Sequence, residues 1–164
     1  ALYDVVSVIQ QNVVIFNATL RDNITMFRDI PKEEVDRVID AAGLRTFVEE
    51  HGEDYLCGEN GNLLSGGERQ RISIARSLLR KVSVLLVDEA TAALDKQTAY
   101  QVSNAILDIQ DVMKVVITHS LEENLLNRFD EIIVLKAGEV AEKGTFEELM
   151  KKKEYFYSLY TVAQ

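Results

Sequence analysis

Apolar residues recur along the first half of the chain at helical spacing. Val35, Val38, Ile39 and Ala42 fall at i, i+3, i+4 and i+7, which predicts one buried helix face from Lys32 to Ala42. Pro31 fits the first helical position, Glu33 and Glu34 suit the positive end of the helix, and Gly43 fits just past its end. A second short helix is predicted over Leu44 to Glu50. A third runs from Arg69 to Arg80, with Ile72, Ala75, Leu78 and Leu79 on one side.

Beyond residue 81 the period changes. Val84 to Val87, preceded by Val82 and Ser83, is a continuous apolar run that stops at Asp88-Glu89, and Val115-Val116-Ile117 is a second, stopping at Thr118-His119. Uninterrupted β-branched runs predict strands buried on both faces, as in a parallel sheet. Lys96 to Ile109 lies between them with Val102, Ala105, Ile106 and Ile109 in helical phase, completing a βαβ unit. Ile132 to Leu135 meets a turn at Lys136-Ala137-Gly138 and alternation resumes over Glu139 to Glu142, so a hairpin is predicted. From Thr145 the chain reads as helical, with Tyr155, Phe156 and Tyr160 as packing contacts. The first half is therefore expected to be helix-rich and the second half α/β.

Composition narrows the function classes. A chain of 164 residues suits one domain and needs no disulfide to fold. Its net charge of −9 argues against a nucleic-acid partner, because phosphate neutralisation needs a basic face. The single cysteine, Cys57, excludes an internal disulfide and fits a reducing compartment. His51, Cys57 and His119 lack metal-ligand spacing. No apolar run is long enough to span a bilayer, and Ala1-Leu2-Tyr3-Asp4 is not read as the start of a secretory leader. Lys151-Lys152-Lys153 reads as a solvated helix face rather than a lipid patch.

Three segments carry candidate chemistry. In Leu64-Ser65-Gly66-Gly67-Glu68, two glycines behind a serine at the mouth of a helix expose N–H groups to an anion, and the helix dipole favours its charge. On Ser-Gly-Gly alone, a loop capped by Ser65 is the preferred reading. Asp88 and Glu89 end a buried strand, where α/β sheets bind ligands. Asp88 suits Mg²⁺ through an oxygen and Glu89 suits the orientation or deprotonation of a water, against the alternative of a solvated acidic turn. His119 follows the neighbouring strand at the same level, although a lone histidine is more often structural.

Together and in this order, these segments resemble the ATP-binding cassette (ABC) nucleotide-binding domain. Leu64 to Glu68 resembles the family signature, with Glu68 where Gln is usual. Val84 to Asp88 resembles Walker B, with Glu89 at the place of the catalytic glutamate. Ala93-Leu94-Asp95 resembles the D-loop, His119 the switch histidine, and Val8 to Phe16 the Q-loop region, with Gln11 as its glutamine and Gln10 as the alternative. The resemblance runs from about Tyr3 to the C-terminus.

It implies an α/β fold: an incomplete P-loop NTPase core with parallel strands, plus an α-helical signature subdomain. The helical part would cover about 13–80, the α/β core about 81–144, and C-terminal helices 145–164. It implies two copies pairing head to tail around ATP and Mg²⁺. Ser65, Gly66, Gly67, Glu68 and Asp95 would be nucleotide-binding residues, the first three gripping the γ-phosphate held by the opposite copy. Asp88 and Gln11 would hold Mg²⁺, Glu89 would position the attacking water, and His119 would contact the γ-phosphate. These roles suit phosphoryl transfer, which depends on positioning and charge neutralisation.

The P-loop pattern G-x-x-x-x-G-K-[ST] is absent. Of the eight glycines none precedes Gly43, and Lys143-Gly144-Thr145 has no second glycine at the right spacing. The expectation is therefore a C-terminal fragment of a longer protein that neither binds ATP tightly nor hydrolyses it alone. Ile15 to Ile24, Gly58-Glu59-Asn60-Gly61 and Gly144 to Leu149 resemble exporters. The resemblance thus implies an exporter ATPase at the cytoplasmic face of the membrane. Its partners would be a second nucleotide-binding domain and a transmembrane domain. The fragment itself is expected to be soluble and to self-associate through strands that have lost neighbours. Two alternatives are an ABC ATPase of non-transport function and a non-catalytic half-site module. The stretch from Gln11 to Leu64 leaves no room for the long coiled coil of chromosome-associated relatives.

Overall fold

The computed structural model describes residues 1–164, the side chain of Tyr3 excepted. The chain divides into two compact units, 1–118 and 119–164.

In the first unit, a single turn α1 (Leu2–Val5) leads into β1 (Val6–Gln10). Four helices follow: α2 (Leu20–Thr25), α3 (Lys32–Ala41), α4 (Arg45–His51) and α5 (Gly66–Leu79). Then come β2 (Val84–Asp88), α6 (Lys96–Asp108) and β3 (Met113–Ile117). The predicted apolar stripe of α3 is the stripe the fold buries: Val35, Val38, Ile39 and Ala42 are fully enclosed. Pro31 caps α3 from outside, with ψ at 142°, rather than opening its first turn. At the far end Gly43 takes φ +75°, which a glycine adopts freely.

Helix α5 begins three residues earlier than the apolar phase predicts, because Ser65 caps it. The Ser65 Oγ accepts from Glu68 N at 3.2 Å, and Glu68 Oε2 accepts from Ser65 N at 2.6 Å. This reciprocal pair satisfies two otherwise orphaned N–H groups and lets the two glycines serve as the first turn. Helix α5 packs against α2, α3, α6 and β1, so it is the hub of the unit.

The sheet is parallel, in the order β1-β2-β3. Two expectations are corrected here. First, β1 was not foreseen as a strand; it pairs along the whole of β2, from Val6↔Val84 to Gln10↔Asp88, so the helix-rich first half also supplies a strand of the sheet. Second, the apolar strands are not buried on both faces. Ile9, Leu85 and Val87 face the core, whereas Val8, Leu86, Val115 and Ile117 are exposed on the other face. The helices cover one side only, and the residues in register share a side. Nor does β2 lack a neighbour: it is the central strand, and the free edges belong to β1 and β3.

The second unit holds α7 (Glu123–Leu126), the antiparallel pair β4 (Ile132–Lys136) and β5 (Glu139–Gly144), then α8 (Phe146–Lys152) and α9 (Tyr155–Ala163). The hairpin turns through Ala137 and Gly138, both at positive φ, as the twist of a two-residue turn requires. Leu126, Val134, Phe146, Leu149 and Phe156 form its core, with Tyr160 edge-on to Phe146 at 5.3 Å. Tyr155, Phe156 and Tyr160 are thus packing residues, as their spacing suggests. The buried Glu142 carboxylate accepts from Phe156 N at 2.7 Å and tethers the start of α9 to β5.

Candidate functional site

The carboxyl end of the sheet gathers the first group of candidate residues. Gln10 ends β1 and lies in register with Asp88, the last residue of β2, and both are exposed on the open face. Gln11 is the next residue, in the bend that leaves the strand, and is also exposed. Oxygen donors from a carboxylate and a neighbouring amide are the set a hard divalent cation such as Mg²⁺ takes. Glu89 follows with φ +47°, in the left-handed region that costs a non-glycine residue about 1–2 kcal/mol. Its N–H donates to Ile117 O at 3.0 Å, so the neighbouring strand holds the bend that Glu89 occupies. An acidic side chain on a strained backbone at a strand end is a pattern that clusters at functional sites.

The second group surrounds the start of α5. Ser65 is exposed, Gly66 is half-buried and Gly67 is buried. A 14-residue helix presents its N-terminus there, a donor set and dipole that suit a phosphate anion. The glycines also answer a packing demand. A Cβ at Gly66 would stand 2.8 Å from Leu94 Cδ2, and one at Gly67 2.5 Å from Thr98 Cγ2. The segment expected as the D-loop therefore lies directly against the signature segment of the same chain. Asp95 caps α6, its Oδ1 accepting from Thr98 N at 3.0 Å. The Thr98 side chain and backbone N–H hold the Asp95 carboxyl below the usual carboxylate range. Thr98 thus touches both motifs, a link that no sequence pattern signalled.

Sequence reasoning also missed the groups that hold the loop after β1. Gln70 is buried in α5, and its Nε2 donates to Gln10 O at 2.9 Å and Gln11 O at 2.8 Å. Arg76 donates through Nε to Asn23 O at 2.6 Å and through Nη1 to Val14 O at 2.6 Å. Burial pushes its guanidinium pKa down. Asn23, fully buried, accepts from Phe16 N at 2.8 Å and donates to Phe16 O at 3.0 Å. The signal for Gln70 was present: Gln70, Ile74 and Ser77 fall at i, i+4 and i+7 and are all buried. Leu64, ahead of the signature, is held through its carbonyl by Arg69 Nη1 at 2.8 Å. His119 is exposed at the head of the second unit, two residues past the end of β3. His51 stacks with Phe47 and Tyr55, which gives it a packing role.

A parallel sheet with a carboxylate pair at the carboxyl ends of its strands, and a glycine-mouthed helix lying against the following turn, defines an α/β domain with its candidate residues where such sheets take ligands. The chain belongs to the ABC transporter family, whose profile matches residues 2–92. It is 39% identical to the ATP-dependent lipid A-core flippase of Desulfotalea psychrophila (strain LSv54 / DSM 12343), over 99% of this chain and 29% of the relative. It is 37% identical to the flippase of the same description from Yersinia pestis, over 97% of this chain and 28% of the relative. Among solved structures, a bacterial Atm1-family ABC exporter with ATP bound superposes with a TM-score of 0.84 at 31% identity. That match covers 99% of this chain and 29% of the exporter chain. The chain thus spans under a third of the length of the relatives it matches. Among the described residues, no helix is long and apolar enough to cross a membrane.

Proposed function

We propose that this chain is the C-terminal part of the ATPase domain of an ABC exporter, which couples ATP hydrolysis to transport at the cytoplasmic face of a membrane. The observation that carries the reading is the end of β2. There Asp88 stands in register with Gln10 on the open face, and Glu89 follows in a left-handed bend held by Ile117 O. ATP would supply the phosphoryl group, and Mg²⁺ the charge that offsets its oxygens. Asp88 and Gln11 would hold the metal through their oxygens. Glu89 would take a proton from the attacking water, with the αL bend fixing the direction of its side chain. The N-terminus of α5, with Ser65, Gly66 and Gly67, would grip the γ-phosphate bound to a second, head-to-tail copy, with Glu68 holding Ser65 in place and Asp95 close by. His119 would contact the γ-phosphate, the role that its resemblance to the switch histidine implies.

Two surfaces support the proposed partners. The second nucleotide-binding domain would face α5 and the turn before α6. Phe16 and Phe27, exposed and edge-to-face at 5.5 Å, offer an apolar contact for a transmembrane domain. The open sheet face of Val8, Leu86, Val115 and Ile117 supports self-association of the chain by itself.

In the full-length parent, Glu89→Gln should abolish ATP turnover while leaving ATP binding largely intact, because size is kept and the proton acceptor is lost. Ser65→Arg should impair ATP-dependent pairing by crowding the phosphate. Near-normal turnover in Glu89→Gln would overturn the role of Glu89 and leave it as the solvated end of a strand. The chain alone, which contains no P-loop motif, should show no micromolar Mg-ATP affinity by calorimetry.

A further inference from the structure

We infer that Gln70 is a positioning residue, a latch by which the helix that starts at the signature segment holds the backbone carrying Gln11. Gln70 lies one and a half turns into α5 and is only 3% exposed. A buried amide is costly unless its groups are bonded. Both of its N–H bonds go to one short stretch, the carbonyls of Gln10 and Gln11. Two acceptors at that end also fix the orientation of the amide, since its oxygen there would repel both. The other end makes no bond among the described residues: Oε1 is buried without a partner there. An apolar side chain of similar length would fill the space without stranding that oxygen. What the amide adds at this position is therefore the pair of bonds to the loop.

A second hold lies further along the same helix. Arg76 binds Val14 O and Asn23 O, so α5 grips the stretch 10–14 at both ends. Residues 11–18 contain no regular element, and the Gln11 side chain is exposed, so its position depends on where its backbone is held. A phosphate engaged by Ser65 to Gly67 acts on the first turn of α5. Any shift of that helix is passed through Gln70 to the carbonyls on either side of the Gln10–Gln11 peptide. The functional half of this inference rests on the proposed role of Gln11 toward Mg²⁺; the latch itself does not.

The test uses Gln70→Met and Gln70→Leu, two apolar replacements that remove the donor and pack differently. In this chain, backbone NMR order parameters at residues 11–15 should fall from the rigid range to below about 0.6, while the amides of Ile72 to Leu79 keep their hydrogen-exchange protection. Unchanged order at 11–15 would overturn the latch. So would equal loss of protection along α5, or loss of the fold in both variants, since each assigns Gln70 to general packing; if only one variant folds, that one decides. In the full-length parent, the same variants should raise the Mg²⁺ concentration for half-maximal ATP turnover several-fold. Unchanged Mg²⁺ dependence would confine the latch to the loop and overturn its link to the metal. If the full-length parent turned over no ATP at all, the ATPase reading would fail while the order-parameter result stood.

Discussion

Thr98 closes over Gly67: a Cβ built on that glycine would stand 2.5 Å from the Thr98 Cγ2. Real Cβ contacts do not come so close, and a β-branched threonine in a helix has few rotamers through which to move aside. The second glycine of the signature segment is thus required by the first turn of α6 in the same chain, whatever a phosphate may also ask of it.

Gly67→Ala should therefore destabilise the chain by about 1–3 kcal/mol through overpacking. Thr98→Ser, which removes the methyl and keeps the backbone N–H, should recover most of that loss when combined with it. Urea unfolding of both single variants and the double variant measures the coupling. Additive losses would show that Gly67 and Thr98 do not constrain each other.

Asp95 should make stability depend on acid. The Thr98 side chain and N–H lower its folded pKa, so the folded state takes up its proton less readily than the unfolded chain, whose value is about 3.9. Its contribution is fully present above that value and is lost as pH falls through the folded pKa. Asp95→Asn keeps a capping oxygen without the charge. The melting temperature of the wild type should exceed that of the variant at pH 7, and the gap should shrink below about pH 4. A gap that holds constant down to about pH 2 would count against the charge.

Asn23 is enclosed and bonded on both sides of its amide, to Phe16 N, Phe16 O, Thr19 O and Arg76. Asn23→Ala should cost about 1–3 kcal/mol, because it leaves the Phe16 N–H without its acceptor and removes one of the bonds that hold Arg76. Asn23→Asp should not rescue it, since a carboxylate would face the carbonyls of Phe16 and Thr19. Denaturant midpoints of both variants provide the check.

Leu86, Val115 and Ile117 form an exposed apolar strip on one sheet face. Replacing Val115 and Ile117 with glutamate should lower the apparent mass of the isolated chain in light scattering at a given concentration, since charge on such a face opposes association. An unchanged mass would place any self-association elsewhere.

Much of the fold was legible because local periodicity and local caps agree with burial. The stripe Val35, Val38, Ile39 and Ala42 is buried as its spacing demands, and the turn at Ala137-Gly138 closes the hairpin where the turn residues stand. The start of α5 was misplaced because apolar phase begins only at Ile72, while the true start is set by the Ser65–Glu68 capping pair. Strand β1 went unrecognised because its polarity does not follow its faces: over only five residues Ser7 is buried and Val8 exposed, and only pairing with β2 marks it as a strand.

Sequence alone was enough for the family and for the order of its motifs, because residue types at fixed spacing, such as Ser65-Gly66-Gly67 and Asp88-Glu89, are chain-local chemistry. What it left open is non-local. A run such as Val84 to Val87 is equally apolar whether one face or both are covered; only packing decides that Leu85 is enclosed and Leu86 exposed. Likewise, a glutamine in a helix carries no mark of its acceptors. Only the fold, by laying α5 against β1, brings Gln70 to the carbonyls of Gln10 and Gln11 across some sixty residues of chain and makes a polar side chain into a fastening.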